Sequence, residues 1–493
     1  MTPANTLIIV SDEHQARAMG CAGHPFVSTP NLDRLASRGT RFTNAVTPSP
    51  ICVPARAAFA TGQYVHRIRY WDNSFGYDGR VRGWGHALQE AGIPVESIGK
   101  LHYQSANLPT GFDVEHVPMH LHKGVGMLWA SIRDPLPEHR PSNKRMLGEY
   151  IGPGTSDYTR YDQSITDLAI EWLNGRGRTK EPWCLYVGLV APHFPLVAPQ
   201  EFFDLYPLDK LPAPKLHPRD GHPLHSWSQE HEDFWSHEAT LKDEHERRVA
   251  IAAYYGLVSW LDHNVGRILS ALDRAGLTDT TRVVYASDHG DNLGARGLWG
   301  KSNLYRESVD IPMIAAGPGF APGRCETPVS LPDLSVTILD SLGLDKDEVL
   351  PNAIGRSLLE IAREPDDPTR FVFSEYHAVG SNSAAYMIRN GRWKYHHYIR
   401  HEPELFDLEN DPEETTNLVR SEAHRAIVIE MERALRLICD PDEIDRQAKI
   451  DQAALIERHG GAQAAFDLGR AVAGGTPAPT EKQTETATTG KTS

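Results

Sequence analysis

Uninterrupted apolar runs that stop at polar, chemically able residues recur through the first half of the chain. Leu7-Ile8-Ile9-Val10 runs into Ser11-Asp12-Glu13. An apolar run without alternation predicts a strand covered on both faces, as in a parallel sheet. The same grammar returns where Val95-Glu96-Ser97-Ile98 reaches Gly99-Lys100-Leu101-His102, and where Trp183 to Val190 reaches Ala191-Pro192-His193. It returns again where Val283-Val284-Tyr285-Ala286 reaches Ser287-Asp288-His289. Helical periods fill the intervals. Thr29-Pro30-Asn31-Leu32 opens one helix with a cap and a first-turn proline, and Gly39 stops it. Others lie near Gly85–Ala91, around Ile165, Leu168, Ile170, Trp172 and Leu173, and from about Asp243 to Ala275. Strands alternating with helices predict an α/β fold, a mainly parallel sheet sandwiched by helices. Ligands of such folds bind beyond the carboxyl ends of the strands. Asp12, Glu13, Lys100, His102, His193, Asp288 and His289 are all placed there.

The pattern changes after a helix predicted from Asp333 to Leu342. Phe371-Val372-Phe373, Ala385-Tyr386-Met387-Ile388, Trp393-Lys394-Tyr395 and Glu404-Leu405-Phe406 read as short strands, with Asn390-Gly391 as a hairpin signal. A helix from about Ser421 to Ile438 should cover one face of this antiparallel sheet. These shifts divide the chain into a large α/β domain (1–370), a small α+β subdomain (371–440), a helical extension (441–473) that could pack on a second copy of the chain, and a tail (474–493). The tail has little to bury and is expected to be disordered. Residues 120–158 and 195–237 lack a sustained period and read as loops or a lid around a site. His222, His225, His231 and His237 read there as polar loop residues.

Composition narrows the partners. A chain of 493 residues exceeds one ordinary core. Its formal charge of −15 argues against a nucleic-acid partner, so any anion site must be a local basic pocket in an acidic shell. Five scattered cysteines form neither a disulfide framework nor a zinc spacing. No leader is expected ahead of the first strand, and no run approaches the roughly 20 apolar residues of a membrane span. A cytoplasmic, reducing location without membrane contact is the expectation.

Candidate chemistry converges on Ser49 to Gly62. Pro54 suits the first helical position and Gly62 the stop. Cys52 then lies just before the helix, where free N–H groups and the dipole favour an anion, with Arg56 close by as a clamp. Asp12, Glu13, Asp288 and His289 form an oxygen-dominated set suited to a hard divalent ion. Lys100, His102, His193 and Lys301, with Arg56, could hold a tetrahedral oxyanion and protonate a leaving oxygen.

Cys52-Val53-Pro54-Ala55-Arg56 resembles the C-x-P-x-R signature of type I sulfatases, whose cysteine is oxidised to formylglycine. The resemblance runs through Ile9-Val10-Ser11-Asp12-Glu13, Thr29-Pro30-Asn31-Leu32, Thr61-Gly62, Gly99-Lys100-Leu101-His102, Ala191-Pro192-His193, Ser287-Asp288-His289-Gly290, Gly300-Lys301 and Leu405-Phe406-Asp407-Leu408. It implies an alkaline-phosphatase-like α/β domain with a smaller C-terminal α+β domain carrying a short antiparallel sheet. It also implies hydrolysis of a sulfate monoester of an aryl, small alkyl or sugar alcohol. One divalent cation would be held by Asp12, Glu13, the side chain at Cys52, Asp288 and His289, calcium first, with manganese or magnesium as alternatives. By the same resemblance Cys52, as an aldehyde hydrate, attacks sulfur, with Asp288 as base and Arg56 stabilising the hydrate. His193 and Lys301 assist the leaving alcohol, and His102 takes the proton that lets sulfate depart, with Lys100 completing the catalytic set. A formylglycine-generating enzyme is the implied maturation partner and a small sulfate ester the implied substrate. Two departures stand out: Glu13 where the family more often has Asp or Gln, and His289 where many members have Asn.

Two further readings compete. A phosphonate monoester or phosphodiester hydrolase uses the same formylglycine but replaces the Lys and His of Gly-Lys-x-His with Tyr and Thr. The retained Lys100 and His102 favour a sulfate monoester, with some promiscuity toward phosphoryl esters. The other is a sulfate-ester-binding protein whose Cys52 is never converted. The Trp71-Asp72-Asn73 loop, the His-rich segment before His237, and Tyr376-His377 are the expected pocket walls.

Overall fold

A computed structural model describes residues 3–138, 140, 145–469 and 475–479. Its centre is an eight-stranded mixed sheet, mostly parallel. In chain order the strands are β1 (Asn5–Asp12), β2 (Gly39–Phe42), β3 (Val95–Lys100), β4 (Val114–Met119), β5 (Cys184–Pro192), β6 (Thr281–Ser287), β7 (Met313–Ala316) and β8 (Gly323–Cys325). Across the sheet they run β8-β2-β7-β6-β1-β5-β3-β4. β1 pairs in parallel with β5 (Ile8 opposite Tyr186) and with β6 (Ile8 opposite Val284), while β7 runs antiparallel between β6 and β2. The carboxyl ends of β1, β3, β5 and β6 therefore share one edge.

The reason β1 is apolar at every position is visible in its packing. Ile8 and Val10 face one core with helix α2 (Cys52–Thr61), while Leu7 and Ile9 face a second. That second core holds α1 (Pro30–Ser37), α3 (Asp157–Asn174) and α5 (Glu244–Arg274). A register shift between Val10 and Asp12 breaks the β1–β5 ladder just before the acidic residues, where a bulge re-aims side chains.

Two local expectations are corrected. α2 begins at Cys52 rather than after it, with Ile51 extended as N-cap and Pro54 inside the first turn. Proline is tolerated there because the first N–H groups of a helix have no intrahelical acceptor. Gly62 closes α2 at φ +68, its N–H bonded to the Ala58 carbonyl. Second, the segment 195–237, read as loop or lid, contains helix α4 (Ser226–Trp235). His225 Nδ1 accepts from the Trp227 N–H at its start. Trp227, His231 and Trp235, four apart, form its buried side. That spacing was the available signal.

Helix α6 (Leu331–Ser341) covers α2. The C-terminal sheet joins β9 (Val372–Tyr376), β10 (Ala385–Arg389), β11 (Trp393–Tyr398) and β12 (Glu404–Asp407), all antiparallel, and α7 (Arg425–Ile438) buries Met431 and Leu435 on it. Helices α8 (Pro441–Arg458) and α9 (Gly461–Gly469) pack on the turn Leu128–Ser131 of the same chain. There Phe466 stacks on Trp129 with centroids 6.4 Å apart. Of the tail expected to be disordered, residues 475–479 are placed against the body of the protein, and 474 and 480–493 lie outside the described residues. Among the described residues no helix is long and apolar enough to cross a membrane.

Candidate active site

The strand ends do converge. Asp12, at the end of β1, receives Arg56 Nη2 (2.9 Å) and Lys100 Nζ (2.7 Å) on Oδ2, while its Oδ1 lies 3.6 Å from Cys52 Sγ. His289 Nε2 lies 3.1 Å from the same sulfur. His289 Nδ1 sits 3.0 Å from the Gly290 carbonyl, which can only accept, so Nδ1 carries the proton and Nε2 presents its lone pair to Cys52. Asp288 accepts the N–H groups of Glu13 (3.2 Å) and His289 (3.0 Å) on Oδ1 and Arg56 Nε (2.8 Å) on Oδ2.

Arg56 is not the open anion clamp its spacing from Cys52 suggests. Its donors are taken by Asp12, Asp288, the Lys100 carbonyl (3.0 Å) and Tyr186 OH (2.9 Å). Every residue of α2 is buried, so the guanidinium is drawn to two carboxylates brought to it by β1 and β6. Despite burial, those anions hold its pKa above the ordinary value. Arg56 therefore fixes the acids.

Glu13 takes a left-handed backbone (φ +70) at the β1 exit. Its Oε2 accepts from Lys301 Nζ at 2.7 Å and lies 3.4 Å from His193 Nε2. Glu13 Oε1 is buried without a partner among the described residues. Burial raises the carboxyl to about 8 against the pull of Lys301. Asp12 behaves oppositely: burial raises it, but Lys100, His193 and Arg56 together hold it well below the carboxylate range. Burial, then Asp12, pushes the Cys52 thiol up to about 12, so the unmodified side chain is neutral.

His193 Nδ1 lies 2.6 Å from the Phe194 carbonyl, which leaves Nε2 toward the acids. His102, also at positive φ (+60), has Nε2 2.8 Å from Thr476 Oγ1 of the placed tail. Burial first, then Lys100 for His102 and Lys301 for His193, holds both imidazoles well below their usual pKa.

The donor atoms of Asp12, Cys52, Asp288 and His289 lie within 4.8 Å of one another, and Asp12, Glu13 and His193 form a second, overlapping group. The structure thus brings together all the residues expected at the site, with Glu13 grouped with Lys301 and His193 and linked to the others through Asp12. Asp162 on α3, not singled out by its place in the sequence, accepts the Val190 (2.6 Å) and Ala191 (2.8 Å) N–H groups and so anchors the end of β5 that carries His193. Its only signal was a carboxylate on an otherwise amphipathic helix. Tyr186, inside an apolar strand, gave none.

A cavity opens over Cys52, Lys100, His193 and Lys301. Asp72 and Asn73 line it as expected, and so do His231 and His237. Trp71 does not: its Nε1 donates to Asp451 (2.7 Å) and its ring meets His377. Tyr376 and His377 are also buried away from the lining, with His377 Nε2 2.8 Å from Glu375.

Residues 4–344 match the family model described as Sulfatase, and residues 294–440 match the one described as N-sulphoglucosamine sulphohydrolase, C-terminal. The chain is 34% identical to a choline-sulfatase of Rhizobium meliloti (strain 1021), covering 85% of this chain and 82% of that protein. It is 31% identical to arylsulfatase K of Mus musculus, over 84% of this chain and 76% of that one. Among solved structures, a phosphonate monoester hydrolase of Agrobacterium radiobacter superposes with a TM-score of 0.69 at 22% identity, covering 88% of this chain and 95% of that one. A protein solved with its substrate D-glucosamine-2-N,6-O-disulfate superposes with a TM-score of 0.71 at 24% identity, covering 91% and 98%. At these identities the two structures speak to the fold alone.

Proposed function

The chain belongs to the sulfatase family and is a sulfuric ester hydrolase; from that premise we propose that it cleaves a sulfate monoester of a small aryl, alkyl or sugar alcohol, using formylglycine made from Cys52 beside one divalent cation. The observation that carries this reading is the seat of Cys52, with Sγ 3.1 Å from His289 Nε2 and 3.6 Å from Asp12 Oδ1 inside a ring of cationic side chains. The donor set fits a cation. Two buried carboxylates and an imidazole lone pair meet at one point, and Glu13 Oε1 is an orphaned buried oxygen beside it. Oxygen-dominated ligands favour calcium, with magnesium or manganese as alternatives. When bound, the cation and the formylglycine supply charge to anchor the sulfate and an oxygen nucleophile in place of the thiol.

The chain's own residues do the rest. Arg56 holds Asp12 and Asp288 in place, so both acids are oriented before substrate arrives. Lys100, tied to Asp12, and Lys301, tied to Glu13, bring positive charge to where sulfate oxygens would lie. Lys301 would pass a proton to the departing alcohol oxygen, and His193 Nε2, whose Nδ1–H is held on the Phe194 carbonyl, would assist beside it as a hydrogen-bond acceptor. His102 Nε2 would accept the proton from position 52 that accompanies sulfate release. The five cysteines, all unpaired, support a reducing compartment, with a formylglycine-generating enzyme acting during maturation.

The test is a mass measurement of the peptide carrying position 52, on protein from its native host, paired with turnover of para-nitrophenyl sulfate and phenyl phosphonate esters. Formylglycine together with faster sulfate-ester hydrolysis supports the reading. An intact thiol in fully active enzyme would refute the nucleophile, and faster phosphonate turnover would favour the phosphonate hydrolase alternative.

A further inference from the structure

Helix α8 lies outside both family matches, the second of which ends at residue 440, yet it is bonded to a loop of the candidate active site. Gln452, in α8 and only 1% exposed, donates through Nε2 to Asp72 Oδ2 (2.8 Å) and to the His377 carbonyl just past β9 (2.7 Å). Its Oε1 accepts from Arg133 Nη1 at 3.2 Å. One amide thus joins three segments that are far apart in the chain. Next to it, Asp451 Oδ2 accepts from Trp71 Nε1 (2.7 Å) and Arg69 Nε (2.6 Å). Two consecutive residues of α8 therefore hold Trp71 and Asp72, the two residues before Asn73.

Asn73 carries that hold to the position of the nucleophile. α2 starts at Cys52 with Ile51 as its N-cap, a side chain that cannot accept a hydrogen bond. The first N–H groups of a helix need acceptors from elsewhere. Asn73 Oδ1 supplies one, accepting from the Val53 N–H at 3.1 Å, and Asn73 lines the same cavity as Cys52. The loop is fixed largely from outside. Within it the Ser74 N–H reaches Asp72 Oδ1 (2.8 Å), while Asp72 Oδ2 is held by Ser131 Oγ (2.8 Å) and by Gln452. Asp72 is fully buried, and a buried carboxylate is costly unless its oxygens meet donors, so the donors dictate where it sits. Losing Gln452 would take one of those donors away and loosen the chain that ends in Asn73.

We propose that Gln452, with Asp451 beside it, is a positioning residue for the reaction at Cys52: α8 sets the Asp72–Asn73 loop, and Asn73 in turn sets the backbone entering α2, where the nucleophile sits. The proposal rests on the sulfatase reading above and adds a residue that acts through another and not on the substrate. A reacting group misplaced by about 1 Å can cost on the order of a hundredfold in rate, so a buttress that fixes the start of α2 matters to turnover.

The experiment uses the full chain, metal-replete and with formylglycine verified by mass, and reads kcat and KM on para-nitrophenyl sulfate alongside Tm. Gln452→Met keeps the length of the side chain without its amide. It should lower kcat/KM by at least about tenfold, mainly through kcat. Asn73→Ala should lower it at least as much, and the double variant Gln452→Met/Asn73→Ala should lose little more than Asn73→Ala alone, because residues acting through one another are not additive. Losses that multiply in the double variant would overturn the proposal. So would a Gln452→Met enzyme with lowered Tm but the kcat and KM of the parent, the mark of a residue that only stabilises. Asp451→Ala, at a half-buried position, runs the same cycle should Gln452→Met fail to fold, and the same outcomes decide. No turnover by the formylglycine-bearing parent overturns the sulfatase reading itself; turnover by the parent that is indifferent to both residues of α8 overturns only their assignment.

Discussion

Arg56 Nε donates to Asp288 Oδ2 at 2.8 Å, in a pair where neither side chain is more than 2% exposed. The same guanidinium reaches Asp12 at 2.9 Å, so one arginine joins the ends of two neighbouring strands. Breaking a buried pair strands an uncompensated charge, which typically costs about 3–5 kcal/mol. Arg56→Ala is therefore expected to destabilise the fold by about that much in urea unfolding. Arg56→Lys keeps the charge but not the fork, and should recover part of the stability while losing most activity. Wild-type stability in Arg56→Ala would show that the acids do not depend on it.

Cys52→Ala should abolish sulfate-ester hydrolysis while the far- and near-ultraviolet circular dichroism stays that of the parent, because the side chain removed is small. Residual turnover equal to the parent would exclude Cys52 as the precursor of the nucleophile.

Removing the metal with a chelator, and separately Asp288→Asn, should each remove most activity. Calcium should restore the chelated enzyme but not the variant. Binding linkage adds a second readout: metal removal should lower Tm, since a ligand held only by the native state stabilises it. Unchanged rates after verified metal loss would exclude the cation.

Asp162→Ala leaves the Val190 and Ala191 N–H groups buried without their acceptor. Each such loss costs about 1–3 kcal/mol. The variant should be less stable by a few kcal/mol, and activity should fall because His193 lies directly beyond those residues. Loss of stability at full kcat would show that His193 is positioned without Asp162.

Glu375 is fully buried between His66 (3.0 Å) and His377 (2.8 Å). Burial would raise its pKa, but the two imidazoles bring it down to about 2. A carboxyl whose folded value lies below its unfolded one contributes stability above the unfolded pKa and loses it as pH falls through the folded value. The contribution should be full above about pH 4.5 and fade toward about pH 2, amounting to about 3 kcal/mol at one pKa unit per 1.36 kcal/mol. Urea titrations across that window should show the slope in the parent and a flatter one in Glu375→Gln.

Most of the sheet and most of the site were determined by the sequence itself. Apolar runs ending in Asp12, Lys100, His193 and Asp288 require strands buried on both faces, and a parallel sheet brings their carboxyl ends to one edge. The Cys52 to Gly62 stretch carries its own helix and stop. Those features are local, written in periodicity and in residue type at element ends. What the tertiary structure alone decided is which atoms meet. Sheet order and register, not spacing in the chain, placed Asp12 and Asp288 on either side of Arg56 and turned an expected anion clamp into the bridge that holds two acids. Packing decided that the segment read as a loop before His237 forms α4, because burying Trp227, His231 and Trp235 together outweighs the helix-poor look of its Pro- and His-rich surroundings. The same packing buried two ring nitrogens in the cavity wall. Nothing in a histidine's neighbours along the chain tells whether its nitrogen meets water, a carbonyl or a substrate; that depends on segments distant in sequence closing over it.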